Sequence, residues 1–77
     1  MKLTDAVGKR VAKLLDERNM SQYKLYKNGG IPRPTIFSII TCKNKTITLC
    51  TVYQIADTLG ISLKEFFDDE LFADIED

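Results

Sequence analysis

The chain has 77 residues, 11 basic and 11 acidic, and no histidine, so it has room for one small domain that buries roughly 60–65% of its unfolded surface and houses no large pocket. The missing histidine removes the commonest general base and zinc ligand, and with it any Ser-His, Cys-His or His-metal site. The neutral total conceals a polarity: all Lys and Arg lie in residues 1–64 beside only four acids (Asp5, Asp16, Glu17, Asp57), whereas residues 65–77 carry seven acids and no base. A basic surface attracts polyanions, although an excess of this size is also compatible with an ordinary solvated face. Cys42 and Cys50 are separated by seven residues, outside the two-to-four spacing of a structural zinc pair, and two thiolates cannot fill a tetrahedral site. With no signal-like apolar N-terminus, the expectation is reduced thiols in a cytoplasmic protein. No apolar run approaches the roughly 20 residues that span a bilayer. Neither a nucleophile and base pair nor a metal or cofactor site can be named, which argues against an enzyme.

Residues 3–18 place Val7, Val11, Leu14 and Leu15 on one stripe of an amphipathic helix, with Lys9, Arg10, Lys13 and Arg18 expected outside it. The next stretch, SQYKLYKNGGIPRPTIFSIIT (residues 21–41), holds two short helix signals around a glycine stop. Ser21 is an N-cap whose hydroxyl can accept a first-turn amide, with Met20 stapled onto Leu25. The helix ends by Gly29, and a second begins at Pro32-Arg33-Pro34, where proline's fixed φ and missing N–H suit a first turn. Ile36 and Ile39 share one face of that second helix, so Arg33, Phe37, Ser38 and Thr41 point largely elsewhere. This spacing is that of a helix-turn-helix, which points to DNA.

Residues 42–46 (CKNKT) lack apolar side chains and read as an exposed loop carrying two lysines. Thr48 caps a fourth helix with the stripe Leu49, Val52, Ile55, Ala56 and Leu59, closed by Gly60. Ser62 and Glu65 form an S-x-x-E signal for a short fifth helix containing Leu63, Phe66 and Phe67. The fold class is therefore all-α, a compact five-helix unit over residues 1–67, followed by an acidic tail at 68–77. In that tail Leu71, Phe72 and Ile75 fall at helical spacing, as a helix extension or a contact surface would require.

Five features in this order make the sequence resemble the Xre, or Cro/C1-type, helix-turn-helix family of lambda-repressor-like proteins, over about residues 4–67. They are Ser21-Gln22 with Leu25, Gly30-Ile31 at the turn, Thr35-Ile36 with Ile39, Ile55-Ala56, and Leu59-Gly60-Ile61-Ser62-Leu63. The resemblance implies a third helix lying in the major groove of double-stranded DNA while the second helix anchors on the backbone. It implies base or phosphate contacts from Pro32, Arg33, Pro34, Thr35, Phe37 and Ser38. Gln22 is implied to meet a phosphate or brace the third helix, and Thr41, Lys43, Asn44 and Lys45 to lie along the backbone. Three positions depart from the family pattern: Tyr26 replaces a usual alanine at the helix crossing, Cys42 a frequent glycine and Ile40 a frequent glutamate.

The implied function is a sequence-specific transcriptional regulator, a repressor occupying a short operator. The alternative is an antitoxin-like or antirepressor-like interaction module that acts mainly through a protein partner at the acidic tail or the Phe37 face. Phe67, Leu71, Phe72 and Ile75 need cover, and either a homodimer or folding of the tail onto its own helices would supply it.

Overall fold

The computed structural model describes residues 1–76, and its helices begin and end where local backbone chemistry changes. Helix α1 (Leu3–Glu17) buries Ala6, Val7, Val11, Leu14 and Leu15. It closes on Asn19 in the left-handed region (φ 54°), with the Met20 amide donating to the Leu15 carbonyl at 2.9 Å. Helix α2 (Gln22–Gly29) starts at Ser21, whose hydroxyl accepts the Lys24 amide at 3.1 Å. It stops at Gly30, whose φ of 69° is a conformation that costs glycine nothing. Helix α3 (Arg33–Ile40) follows the buried Ile31 and carries Pro34 in its first turn. Helix α4 (Leu49–Thr58) is capped by Thr48 and α5 (Leu63–Phe67) by Ser62, each hydroxyl accepting an amide at 3.1 Å.

These helices enclose one core in which Val11, Leu25, Ile31, Ile36, Ile39, Ile55 and Phe66 are fully buried. α1 packs on α3, and α2 on both α3 and α4. Gly8 makes the first contact feasible, since a side chain there would collide with the Ile39 carbonyl. Gly29 does the same for α2 against Thr58 of α4. No strand occurs among the described residues, and no helix among them is long and apolar enough to cross a membrane.

Sequence expectations are corrected at Leu49 and Arg10, and the structure decides against one of the two alternatives for the tail. Leu49, placed in the core stripe of α4, is 72% exposed, because it stands at the helix's first position, off the end of the packed stripe. Arg10, placed on the outer face of α1 by periodicity, is only 8% exposed. Its Nε donates to the Phe66 carbonyl (2.7 Å), Nη2 to the Glu65 carbonyl (2.9 Å) and Nη1 to Asp69 Oδ2 (3.1 Å). The guanidinium thus meets the carbonyl end of α5, where a cation is favoured. The tail residues with helical spacing form only a 3₁₀ turn (Glu70–Phe72) rather than a continued α-helix. Asp69 is held by Arg10 and Lys13 and accepts the Leu71 amide through Oδ1 (2.9 Å), so the chain restarts there.

Beyond that turn the tail runs back along the start of α1. The Met1 ammonium donates to the Asp74 carbonyl (3.1 Å), and the Glu76 amide to the Met1 carbonyl (3.0 Å). Phe72 meets Phe67 edge-on with ring centroids 4.9 Å apart, and Phe67 meets the buried Phe66 at 5.1 Å. Edge-on aromatic contacts of this kind add about 0.5–1.5 kcal/mol beyond area burial.

The Lys13 ammonium, 2.7 Å from Asp69, holds that carboxyl below the usual carboxylate range, helped by the Leu71 amide and the Arg10 charge. Asp69 in turn raises the Lys13 pKa. A carboxyl whose pKa is lower folded than unfolded stabilises the fold above about pH 4 and loses that contribution as pH falls through the folded value. Asp69→Asn is therefore expected to lower the urea midpoint at pH 7, with the gap from wild type closing well below pH 4. A gap independent of pH would contradict the assignment.

Candidate nucleic-acid interface

Burial of Ile36 and Ile39 turns the opposite side of α3 to solvent and brings Pro32, Arg33, Pro34 and Phe37 onto one exposed surface. Phe37 is 51% exposed, so it is a surface residue and not part of the core. Thr35 and Ser38 are half-buried at the flanks of this face. Gln22 is exposed at the first position of α2, beside its Ser21 cap. The loop after α3 keeps Lys43 and Lys45 exposed and Asn44 half-buried.

Two cations are seated on aromatic rings at this surface. The Arg33 guanidinium carbon lies 5.4 Å from the centroid of the Tyr23 ring, and the Lys43 ammonium 5.4 Å from that of Phe37. Both distances fall within the reach of cation–π attraction. Tyr23 was not among the residues implied by sequence. It stands one position after Gln22 on the polar side of α2, and nothing in its local pattern separates a functional ring from an ordinary exposed one. Tyr26 accommodates its departure from alanine by turning outward: its ring is 39% exposed and lies 6.0 Å from that of Tyr23. Ile40 is half-buried and packs on the core.

At the end of α3, Cys42 takes the left-handed conformation (φ 60°), with its amide to the Ile39 carbonyl and the Lys43 amide to the Ser38 carbonyl. This is the closing geometry that glycine adopts most readily. The turn sends Lys43 back over Phe37. Thr41 uses its only side-chain donor internally, its hydroxyl donating to the Phe37 carbonyl at 2.6 Å. A further cleft joins the loop to the start of α1 and the tail, lined by Lys2, Asp5, Lys43, Lys45 and Glu76. Sequence reasoning missed Lys2 here because the loop lysines and Glu76 that share the cleft are more than 40 residues away. Cys42 and Cys50 are free thiols, and no cluster of three or more potential metal ligands occurs among the described residues.

A model of the Cro/C1-type helix-turn-helix DNA-binding domain matches residues 10–71, most of the chain. The chain belongs to this family. The matched span starts at Arg10 and includes Asp69, so both ends of the buried ion pair lie inside this Cro/C1-type domain. No curated protein matches the chain. Among solved structures, this Cro/C1-type protein is similar to the one described as the crystal structure of the prophage Lp1 protein 11. The TM-score is 0.82 at 24% identity, over 97% of this chain and 100% of that one, a likeness of fold.

The implied tail contacts, Phe67, Leu71, Phe72 and Ile75, are all half-buried within the single chain. Phe67 and Phe72 pack on its core. Any pairing of two copies through the tail would draw on the exposed remainder of these side chains.

The Thr41 hydroxyl can reach a phosphate as donor only by leaving the Phe37 carbonyl, which also receives the Thr41 amide at 3.0 Å. Thr41→Val is accordingly expected to keep DNA affinity within about threefold of wild type in a fluorescence anisotropy titration. A loss of about tenfold or more, the size of a hydrogen bond to a charged group, would show that the hydroxyl changes partner on binding.

Proposed function

We propose that this protein is a sequence-specific transcriptional regulator that represses by occupying a short operator, with α3 in the major groove. The observation that carries the reading is the exposed face of α3 in a DNA-binding family. Among the described residues Arg33 has no carboxylate or carbonyl partner, which leaves its donors available. A guanidinium of this kind can grip O6 and N7 of a guanine in two parallel bonds, contributing about 1–3 kcal/mol of discrimination. Phe37 offers an apolar surface to a thymine methyl, and Thr35 and Ser38 offer hydroxyls to neighbouring edges. Gln22, the first-turn amides of α2, Lys43, Asn44 and Lys45 supply phosphate contacts that fix position without reading sequence.

Two copies acting together would read half-sites about 10 base pairs apart, matching the roughly 34 Å repeat of the duplex. A homodimer is part of this proposal, and the cytoplasm is the compartment in which it would act. The rival reading, a protein partner held by the acidic tail, has less support: the tail's apolar side chains are already half covered by this chain's own core.

Phosphate contacts and base contacts respond differently to mutation. With roughly four to six phosphates neutralised per half-site, log K should fall with log[salt] at a slope near −0.9 per contact. Lys43→Ala and Lys45→Ala are each expected to reduce that slope by about one contact and to weaken all duplexes alike. Arg33→Ala is expected to relax preference at one base pair. Affinity that is insensitive to salt and to all three substitutions would turn the search to protein partners.

A further inference from the structure

Arg33 shares with Lys43 a seat on an aromatic ring, but it alone of the two stands on α3 and carries a planar fork of donors. A long arginine side chain is rotationally free in water, and fixing it at a base edge costs entropy that lowers both affinity and discrimination. A carboxylate partner can fix an arginine, but a bidentate pair occupies the same N–H donors a guanine needs. Here the support is the Tyr23 ring, 5.4 Å below the guanidinium carbon. A ring face attracts the cation through its quadrupole and takes no N–H group, so the donors around the guanidinium edge stay open. Tyr23 in turn meets the Tyr26 ring, with centroids 6.0 Å apart and planes tilted by 56°. It is also carried on α2, whose Leu25 is fully buried two residues further on. The ring therefore stands on a fixed element, and Arg33 stands on the ring.

We propose that Tyr23 is a positioning residue for sequence reading, one that holds the Arg33 guanidinium over its ring, with its donors free, in the orientation that grips a guanine. This rests on the proposed base-reading role of Arg33 and extends it to a residue on the preceding helix. The tyrosine hydroxyl has no part in this role; only the ring does. That separates positioning by Tyr23 from a direct phosphate contact through its hydroxyl, and both from a purely structural contribution, since the residue is half exposed and is not one of the buried core residues.

The test uses the full chain and a duplex that the wild-type protein enriches from a randomised library, together with every single-base-pair substitution of that duplex. The readout is the ratio of affinities between the parent duplex and each substitution, with thermal unfolding of each variant as control. Arg33→Ala is expected to flatten the ratio at one guanine position. Tyr23→Ala is expected to lower the ratio at that same position by about two- to fivefold, the factor an exposed cation–π contact carries, while other positions and the salt slope keep their values. Tyr23→Phe, which keeps the ring, is expected to restore it, and Tyr23→Ala in the Arg33→Ala background to change nothing further. If Tyr23→Ala preserves discrimination at the position that Arg33→Ala flattens, or if Tyr23→Phe weakens all duplexes alike, positioning by the ring is wrong while base reading by Arg33 stands. If Arg33→Ala flattens no position, or no duplex is enriched, both readings fall together.

Discussion

Everything presented to solvent by α3 depends on the burial of two side chains, Ile36 and Ile39, each 1% exposed. An eight-residue helix has too few turns to persist alone in water, so its existence and its rotation about its own axis are both set by what it packs on. Three residues apart, the two isoleucines lock one face against α1, and the positions i and i+4 at Arg33 and Phe37 then project outward. Burying each isoleucine contributes about 1.5–3 kcal/mol, and rotating α3 would forfeit both. The approach is close because Gly8 leaves room for the Ile39 carbonyl. The apolar interior and the polar surface are thus two consequences of one packing contact.

The charge polarity of the chain takes a different form in space. Along the sequence, bases precede acids; in the fold, the acidic end returns to the basic body. Asp69 lies between Arg10 and Lys13 with its side chain 8% exposed, and Glu76 shares a cleft with Lys2, Lys43 and Lys45. Arg10 and Lys13 are thereby drawn toward the tail, while the cations of α2, α3 and the following loop stay exposed on the side of the proposed interface. The tail is therefore part of the domain's architecture and also places negative charge beside loop lysines.

The features legible in sequence were those with local causes. Ser21, Thr48 and Ser62 cap helices because each hydroxyl sits three residues before an unpaired amide, and Gly60 and Gly30 close helices because the left-handed turn suits glycine. The core stripes followed from periodicity except at Leu49, the first residue of α4, which is 72% exposed. Arg10 was illegible because its partners are 55 to 59 residues distant, and no helical pattern distinguishes a cation that folds inward from one that is solvated. The tail's helical spacing was overridden by the same distant contact. At the interface, Arg33 and Phe37 were readable as the face opposite the isoleucines, and Lys43 as part of an exposed loop. The Tyr23 ring beneath Arg33 was not, because the pairing arises from the angle between two helices, which sequence spacing does not encode. Cys42 lies between these cases: resemblance flagged it as a departure from glycine, and only the backbone showed that it keeps the left-handed turn.

The central claim is that the exposed face of α3 reads bases, and selection of bound sites from a randomised duplex library at about 150 mM salt, where nonspecific binding is partly suppressed, tests it most directly. The account predicts enrichment of a short motif containing guanine, repeated in inverted orientation at about 10 base pairs if two copies bind together. Recovery of a library no different from the input, by protein that is folded and binds duplex at lower salt, would contradict it.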